Sequence, residues 1–320
     1  MKNRMILKRY LDNGQGKAIS VIVFWTFLGL GTLNAVAQNE SNPSSSGVIT
    51  ENLPIVGDVL QEKVKLAEPR LTESSGLAFS IRNPDRLWTH NDSGDGAWLY
   101  AFNRQGKATG RWFLMSVKAN DWEDLASFQV DGQSYIVIAD TGDNDAKRSD
   151  IKLHWFKEPD PDDSGRLFQG QVQTIRVRYP FGARDCEAIA VDPKTKLVWL
   201  ATKRWLPSCD LLTVPLAASD DLVTATSAGV LPLPMVTGMD ISADGQSMVI
   251  GSYLNAVLFH KKQVAEDWST TLRSDPLSLA MPKLRQIEAI AFDLQKRIWV
   301  TSEGNPAWLA PVAAEPVMEK

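Results

Sequence analysis

Two short stretches of this sequence each place several carboxylates in one turn directly after an apolar run. Residues 89–96 read THNDSGDG and residues 138–145 read IADTGDND, and both contain the pattern Asp-[Ser/Thr]-Gly-Asp. Turns rich in oxygen ligands suit a hard cation such as Ca²⁺, which takes six to eight oxygens. Such turns also form without a ligand, because Asp accepts hydrogen bonds from nearby backbone N–H groups and Gly adopts positive φ.

Histidine offers little support for acid–base chemistry in this chain. His154 and His260 fall inside β-like runs, and only His90, next to NDSGD, is a candidate catalytic acid or base. The sequence has no G-x-S-x-G nucleophile elbow, H-E-x-x-H zinc motif, CxxC pair or phosphate loop. An enzyme built from these residues would therefore activate water with carboxylates or with a bound metal ion.

A four-residue motif recurs along the chain at intervals of 48, 64, 52 and 49 residues. The copies are Ser75-Gly76-Leu77-Ala78, Glu123-Asp124-Leu125-Ala126, Glu187-Ala188-Ile189-Ala190, a degenerate Met239-Asp240-Ile241-Ser242, and Glu288-Ala289-Ile290-Ala291. After each copy, β-rich runs such as YIVIAD and LVWLAT alternate with clusters of Gly, Asp, Asn and Pro. This alternation is typical of short strands joined by turns.

Four strands per unit at a period near fifty residues predict an all-β fold, a β-propeller of four-stranded blades. Five blades begin near residues 74, 122, 186, 238 and 287. Six blades are the alternative, because the longest interval could hide one more blade, although the Pro- and Asp-rich stretch EPDPDDSGRLFQGQ favours a loop insertion there. The last blade lacks one strand, and residues 64–67 are expected to supply this N-terminal strand and to close the ring.

The repeat places two rings of polar residues at one end of the predicted channel. The first strand of each blade lines the channel, and Glu123, Glu187 and Glu288 start three of these strands. The second strand is antiparallel and therefore ends at the same face. The residues aligned at its end in the five blades are Asp92, Asp140, Lys203, Tyr253 (or Ser252) and Glu303. The glutamates could instead tie neighbouring blades together by hydrogen bonds.

Carboxylates that crowd around one axis require a counter-ion, a shared proton or a ligand. Lys203 can neutralise one of them, and together with Tyr253 it is expected to contact the ligand. The remaining carboxylates predict a bound cation, with Ca²⁺ as the expected cofactor. The predicted metal ligands are Asp92, Glu123, Asp140, Glu187, Glu288 and Glu303. If the protein is a hydrolase, Glu123, Glu187 or Glu288 would serve as the base.

The first 37 residues have the features of a secretory signal peptide. A basic segment precedes an uncharged, mostly apolar run from Ala18 to Thr32, and Ala35-Val36-Ala37 supplies a cleavage pattern. An uncleaved signal anchor is the alternative, although the run is shorter than the roughly 20 residues that span a bilayer. We therefore expect export to the periplasm or the extracellular space, with residues 38–59 as a flexible linker and residues 60–320 as one propeller domain.

The net charge limits the kinds of partner that this chain can bind, and the two cysteines raise the question of a disulfide. Without residues 1–37 the chain has 29 basic and 37 acidic residues, a formal charge of −8. Binding to nucleic acid is therefore not expected, since no basic run remains to neutralise phosphates. We expect a monomer that has no membrane span after cleavage. The two cysteines, Cys186 and Cys209, are either bonded to each other or buried as free thiols.

Several stretches resemble a group of exported bacterial propellers that are similar to phytase-like, esterase-like and NHL-type propellers. They include SSGLAFS, LWTHNDSG, IADTGDN, EAIAVDP and VTGMDISADG, within residues 71–310. In calcium-dependent phytase propellers, acidic residues at the channel mouth bind calcium and phosphate. The resemblance implies ligand roles for Glu123, Asp140, Glu187, Glu288 and Glu303. The chain departs from that family because only Lys203 and Arg204 are basic in the aligned rings.

Three functions are compatible with these patterns. The first is a binding protein that holds a cation, and through it a small molecule or a protein ligand, at one mouth of the channel. The second is a metal-assisted hydrolase of ester or phosphoester bonds. The third is a scaffold that binds other proteins through its rim.

Overall fold

The computed structural model describes residues 63–160, 164–205 and 207–314. The predicted signal peptide and linker lie outside these residues. Within the described ranges, no helix is long and apolar enough to cross a membrane. Regular structure there is β-strand apart from one short helix, α1 (Trp268–Thr271), so the all-β prediction is confirmed.

The strands are short and follow one another closely along the chain. In order they are β1 (Val64–Leu66), β2 (Ser74–Phe79), β3 (Arg86–Asn91), β4 (Trp98–Asn103), β5 (Ala108–Leu114), β6 (Trp122–Val130), β7 (Gln133–Asp140), β8 (Ile151–Lys157), β9 (Gly165–Leu167), β10 (Val172–Arg178), β11 (Cys186–Asp192) and β12 (Leu197–Thr202). They continue with β13 (Cys209–Pro215), β14 (Leu222–Thr224), β15 (Thr226–Leu231), β16 (Val236–Ile241), β17 (Ser247–Ser252), β18 (Ala256–His260), β19 (Leu277–Ala280), β20 (Ile287–Phe292), β21 (Ile298–Ser302), β22 (Ala307–Pro311) and β23 (Ala313–Ala314).

The strands form five sheets, and each sheet is one blade. From blade 1 to blade 5, the inner strands are β2, β6, β11, β16 and β20. These inner strands pack side by side in that order, and β20 returns to β2. The predicted five-bladed propeller of four-stranded blades is confirmed, and the alternative of six blades is wrong.

The long interval between the second and third motif copies holds an edge strand rather than another blade. Its β9 lies parallel to β5 on the outer edge of blade 1, with Gly165 opposite Trp112. In the same way β14 lies parallel to β10 on the outer edge of blade 2. Ring closure follows the prediction, since β1 pairs antiparallel with β22 in blade 5, with Val64 opposite Leu309.

Packing between the blades separates the two cysteines. In β11, Ile189 packs into the core shared with blade 2, whereas Ala188 packs into the core shared with blade 4, because successive side chains of a strand point to opposite faces. Cys186 belongs to the first of these cores and Cys209 to the second. Of the two predicted alternatives, the structure therefore has buried free thiols at both cysteines and no disulfide between them.

Every inner strand has a β-bulge or irregularity at its mouth end, where its register against the second strand shifts. Such irregularities re-aim the side chain at the extra position. The residues at these positions, from blade 1 to blade 5, are Ser75, Glu123, Glu187, Thr237 and Glu288. We call them the bulge ring.

Directly after the bulge of blade 2, a buried carboxylate joins three blades at the channel axis. Asp124 has 0% exposure and accepts the N–H of Leu125 at 2.8 Å. It also accepts the N–H of Ile189 in blade 3 at 2.9 Å and of Met239 in blade 4 at 3.3 Å. The equivalent positions hold small residues, which leave room for it: Gly76, Ala188, Gly238 and Ala289.

A second carboxylate continues this pattern around the ring. Asp240 of β16 accepts the N–H of Ile241 at 2.8 Å and the N–H of Phe292 in blade 5 at 2.8 Å. Together the two aspartates provide backbone N–H groups of four blades with acceptors inside the channel, where an unpaired donor is costly.

We expect Asp124→Ala to lower the free energy of unfolding by about 3–5 kcal/mol, because three buried N–H groups lose their acceptor. Alanine is compatible with the space, since it occupies the equivalent position in blades 3 and 5. Urea unfolding followed by tryptophan fluorescence measures the change. Asp275→Ala, on an exposed turn, is the matched control and should change stability by less than about 0.5 kcal/mol. Equal stability of the two variants would contradict the role given to Asp124.

Candidate functional site

A repeated backbone hydrogen bond shows which residues are equivalent at the mouth. In each blade, the N–H of the residue after the second strand donates to the carbonyl of the residue two positions before the bulge ring. The donors, from blade 1 to blade 5, are Asp92, Thr141, Lys203, Tyr253 and Glu303. The acceptors are Glu73, Asp121, Asp185, Met235 and Gln286. Each blade thus brings three residues to the mouth.

Asp140 does not occupy the mouth position that the sequence alignment gave it. It is the last residue of β7, one residue before Thr141, which holds that position. Its buried carboxylate binds Arg148 at 2.8 Å and accepts the N–H of Asn120 at 3.1 Å and of Asp121 at 3.4 Å. Asp140 therefore anchors the segment that carries Asp121, and its oxygens are already engaged.

The motif copy in blade 4 also differs from the alignment. The structural equivalent of the other copies is Thr237-Gly238-Met239-Asp240, two residues before the predicted copy. Gly238 occupies the position where the inner strands approach most closely, because a Cβ there would lie 2.9 Å from the backbone nitrogen of Ile290. Met239 is buried in the core between blades 3 and 4 rather than at the mouth.

His90 lies inside the protein, behind the wall of the channel. Its Nδ1 is 3.0 Å from the carbonyl oxygen of Asn91, and its ring packs edge-on against Trp122. Burial lowers the pKa of His90 to about 4, so the imidazole is neutral at pH 7. A Cβ on Gly76 would lie 2.5 Å from its Nε2, which shows how tightly the ring is enclosed. We do not assign a catalytic role to this residue.

Five carboxylates come together on the side of the mouth formed by blades 1 to 3. Asp92, Asp121 and Glu123 form one group, and Glu123, Asp185 and Glu187 form a second. Within each group, one oxygen from every residue lies within 4.8 Å of the others. Glu123 belongs to both groups and is only 4% exposed. We call these five residues the carboxylate cluster.

Two members of the carboxylate cluster, Asp121 and Asp185, were missed by the sequence analysis. Each stands two residues before a glutamate of the bulge ring, in DWED and DCEA. An extended strand would place residues i and i+2 on one face, so the repeated Asp-x-Glu spacing was the available signal. The same position holds Glu73, Met235 and Gln286 in the other blades, and this variation conceals the repeat.

Burial and mutual repulsion disfavour the ionised form of the carboxylate cluster. Burial, followed by the charge of Glu187, raises the pKa of Glu123 well above its ordinary value. Burial, assisted by Asp121, raises the pKa of Asp92 to about 7. Burial raises the pKa of Glu187 to about 8, although Lys203 acts in the opposite direction. A bound cation would relieve this repulsion.

Gly142, in the DTGD turn, provides the space in which two of these carboxylates lie. A Cβ at this position would be 2.5 Å from Oδ2 of Asp121 and closer still to Oε1 of Glu123. Its φ angle is an ordinary one, so the glycine is required for space rather than for backbone conformation. The turn at residues 140–143 thus contributes to the cluster through Gly142 and not through Asp140.

The other side of the mouth holds a connected row of hydrogen bonds. Lys203 Nζ binds Glu187 Oε1 at 2.6 Å and donates to Tyr253 Oη at 3.2 Å. Tyr253 in turn donates to Glu288 Oε1 at 2.8 Å, and burial raises the pKa of Glu288 to about 7. Glu303 accepts from another mouth residue, the side chain of Gln286, at 2.6 Å. Glu288 and Glu303, both predicted metal ligands, therefore lie outside the carboxylate cluster.

A cavity of about 580 Å³ opens beside the cluster and is lined by residues of blades 2 to 5. Asp185, Lys203 and Tyr253 connect it to the mouth, and Trp205, which is 84% exposed, stands at its edge. The remaining lining residues are Asp143, Asn144, Ala146, Ala183, Arg184, Met235 and Gln286. Its volume lies in the range of small-molecule sites, about 300–1,000 Å³.

We expect the metal-free protein to lose stability as the pH rises from 5.5 to 8. Carboxyl groups whose pKa is raised by folding hold more protons in the folded state than in the unfolded state across this window, so stability falls as they ionise. The pKa of Glu187, raised to about 8, corresponds to a loss of about 2–3 kcal/mol, or about 5–10 °C in Tm, and the raised pKa of Glu123 acts in the same direction. Thermal scans in EDTA at several pH values measure this loss.

Two further scans complete that experiment. Glu123→Gln removes one titrating group of the cluster, and its Tm should depend less steeply on pH. Added Ca²⁺ should restore the Tm at pH 8 more than at pH 5.5, because metal ligands must be deprotonated. A Tm that stays constant or rises over this range without cation would contradict the protonation assigned to the cluster.

No known protein-family model matches the chain. Ribonuclease D of Xanthomonas oryzae pv. oryzae (strain KACC10331 / KXO85) is 30% identical over 134 residues, 39% of this chain and 36% of that protein. The chain thus spans about a third of the length of this curated relative, and the match does not establish a shared family.

Solved structures with a similar arrangement are distant in sequence. Two structures of glucose dehydrogenase are each 10% identical, with TM-scores of 0.46 and 0.48, and the match covers 80% of this chain and all of theirs. A hydrazine synthase of Kuenenia stuttgartiensis is 11% identical, with a TM-score of 0.39, over 76% of this chain and 72% of its own. None of these likenesses carries an activity over to this protein, and its function is argued from its own residues.

Proposed function

We propose that the protein binds a divalent cation at the carboxylate cluster and, through that cation, a small molecule or a protein ligand. The observation that supports this most directly is the position of Glu123 in both carboxylate groups. Among the residues that the structure describes, the carboxylate of Glu123 receives only a 3.5 Å contact from the Ser75 hydroxyl, and that hydroxyl lies 2.6 Å from the carbonyl oxygen of Glu123. A buried carboxylate with so little hydrogen bonding, surrounded by four others, calls for positive charge.

Calcium is the cation that suits these ligands best. All side chains of the cluster offer hard carboxylate oxygens, whereas zinc favours nitrogen and sulfur ligands. The five residues come from three blades, and Ca²⁺ tolerates irregular geometry better than Mg²⁺. Asp92, Glu123 and Glu187 retain their predicted ligand role in this proposal, and Asp121 and Asp185 join them.

Export supports the same proposal from a different direction. The N-terminal sequence has the features of a signal peptide, and an exported protein would meet calcium outside the cytoplasm. Calcium sites of extracellular modules have Kd values of about 10⁻⁴–10⁻³ M, which is the range we propose here. The acidic mouth also argues against nucleic acid as the ligand.

The experiment is a calorimetric titration of the metal-free protein with CaCl₂. Glu123→Gln should weaken binding at least tenfold, because it removes the ligand common to both groups. Gly142→Ala should also weaken binding severalfold, since the added methyl group displaces the carboxylates of Asp121 and Glu123. Gly165→Ala is the matched control, because a Cβ there meets only Trp112 at an ordinary 3.5 Å.

Glu303→Gln is a second control at the mouth itself. Glu303 lies outside the carboxylate cluster, so its variant should bind Ca²⁺ within about twofold of the unmodified protein. The proposal fails if the protein takes up no Ca²⁺ in the millimolar range, or if Glu303→Gln weakens binding as much as Glu123→Gln does.

One observation favours metal-assisted hydrolysis as a second candidate function. Glu288 has a pKa raised to about 7 and is held by Tyr253, and a general base is most effective when its pKa is near the working pH. A screen of ester and phosphoester substrates with added Ca²⁺ should then show turnover that Glu288→Gln reduces by about 10²-fold or more. If no substrate is turned over while Ca²⁺ is bound, hydrolysis is rejected and ligand binding remains the proposed function.

A further inference from the structure

We propose that the blade 3 side of the mouth is a subsite for an oxyanion carried by a small ligand with a ring. Lys203 and Arg184 would receive the oxyanion beside the cation, and Trp205 would stack on the ring. The inference rests on the proposed cation site, because the cation completes the positive side of this subsite.

Positive side chains are concentrated on blade 3. Arg184 and Arg204 both approach the carboxylate of Asp210, at 3.8 Å and 3.3 Å respectively. Two guanidinium groups thus share one carboxylate close to Lys203. The side chains of Arg184 and Arg204 are 36% and 46% exposed, whereas that of Asp210 is 14% exposed. The positive groups are therefore the more accessible ones, which suits an anionic ligand.

Lys203 connects this positive region to the carboxylate cluster. Its ammonium group is held by Glu187, by the hydroxyl of Tyr253 and by the face of the Tyr253 ring, 5.0 Å away. A cation bound by Glu123, Asp185 and Glu187 would share Glu187 with Lys203. Two positive groups on one carboxylate repel each other, and an oxyanion that contacts both would remove this repulsion.

The cavity extends from this pair of positive groups. Asp185 belongs both to the carboxylate cluster and to the cavity lining, so a cation bound there would face the cavity. Trp205 stands at the cavity edge with 84% of its surface exposed. An aromatic face of this kind, close to polar groups, stacks against planar rings. The cavity volume of about 580 Å³ accommodates a head group and one ring.

The test uses four probes that differ only in head group and ring. Benzoate and acetate carry a carboxylate, and phenylphosphonate and methylphosphonate carry a phosphorus oxyanion that cannot be hydrolysed as an ester. Each is titrated by NMR into the full-length mature protein with saturating Ca²⁺ and again in EDTA. We expect benzoate to bind at least fivefold more tightly than acetate, and phenylphosphonate at least fivefold more tightly than methylphosphonate. Both should bind only when Ca²⁺ is present. The tighter of the two identifies the head group.

Variants separate the ring contact from the charge contact. Trp205→Ala should weaken phenylphosphonate and benzoate at least fivefold and leave methylphosphonate and acetate unchanged. Phe168→Ala, which removes another exposed aromatic side chain (57% exposed), is the matched control and should change nothing. Lys203→Met should weaken all four probes at least tenfold, and Arg184→Gln provides the same test without altering the ion pair of Glu187.

Calcium binding by each variant is measured first, so that a loss of probe binding is not a loss of the metal. If Ca²⁺ binds and none of the probes does, the subsite is disproved while the cation site stands. If the probes bind as tightly in EDTA as with Ca²⁺, the cation does not contribute to the subsite. If Trp205→Ala leaves the ring-bearing probes unaffected, the stacking role is wrong. Absence of Ca²⁺ binding overturns the proposed function and this inference together.

Discussion

The hydrogen bonds of Asp124 are the constraint on which the rest of this propeller depends. Inner strands that meet at a narrow axis bring backbone N–H groups together where water is excluded, and each of these groups needs an acceptor. One carboxylate provides that acceptor for three blades. Because Asp124 directly follows Glu123 in the chain, the same bonds determine where the central glutamate of the carboxylate cluster can lie. The peptide bond between Glu123 and Asp124 therefore links the position of the mouth carboxylate to the hydrogen bonds inside the channel.

The mouth combines two opposite electrostatic environments within a few residues of chain. Blade 3 contributes Asp185 and Glu187 to the carboxylate cluster, and it also contributes Lys203, which binds one of them. Burial raises the pKa of Asp92, Glu123 and Glu187, so these groups favour the protonated form until a cation binds, and Lys203 only partly offsets the shift of Glu187. The cluster is also restricted in space, since the carboxylates of Asp121 and Glu123 leave no room for a side chain at position 142. The proposed ligand class follows from this combination of charge and space.

Much of the fold was predictable from the sequence, because a repeat of four β-rich runs has few other solutions. The number of blades, the closing strand and the location of Glu123 and Glu187 followed from it. The bulges were not predictable, because apolar spacing does not show where a strand gains a residue. Apolar runs also fit more than one register, and errors of one residue at Asp140 and of two residues at Met239 resulted. The alternating pattern likewise did not show that Cys186 and Cys209 face different neighbours, since the bulge at Glu187 places Cys186 on the face of Ile189 rather than on the face of Ala188.

Closure of the ring by β1 also has a consequence for the order of folding. The four main strands of each of blades 1 to 4 lie within one stretch of the chain, with distant strands added only at their outer edges, whereas blade 5 needs Val64 to pair with Leu309. Contacts so distant in sequence form slowly, because the entropy of closing a long loop opposes them until the intervening structure exists. The local blades are therefore expected to assemble first and the final pairing last. All five residues of the carboxylate cluster come from blades 1 to 3, so they are brought together by the part of the chain that folds early.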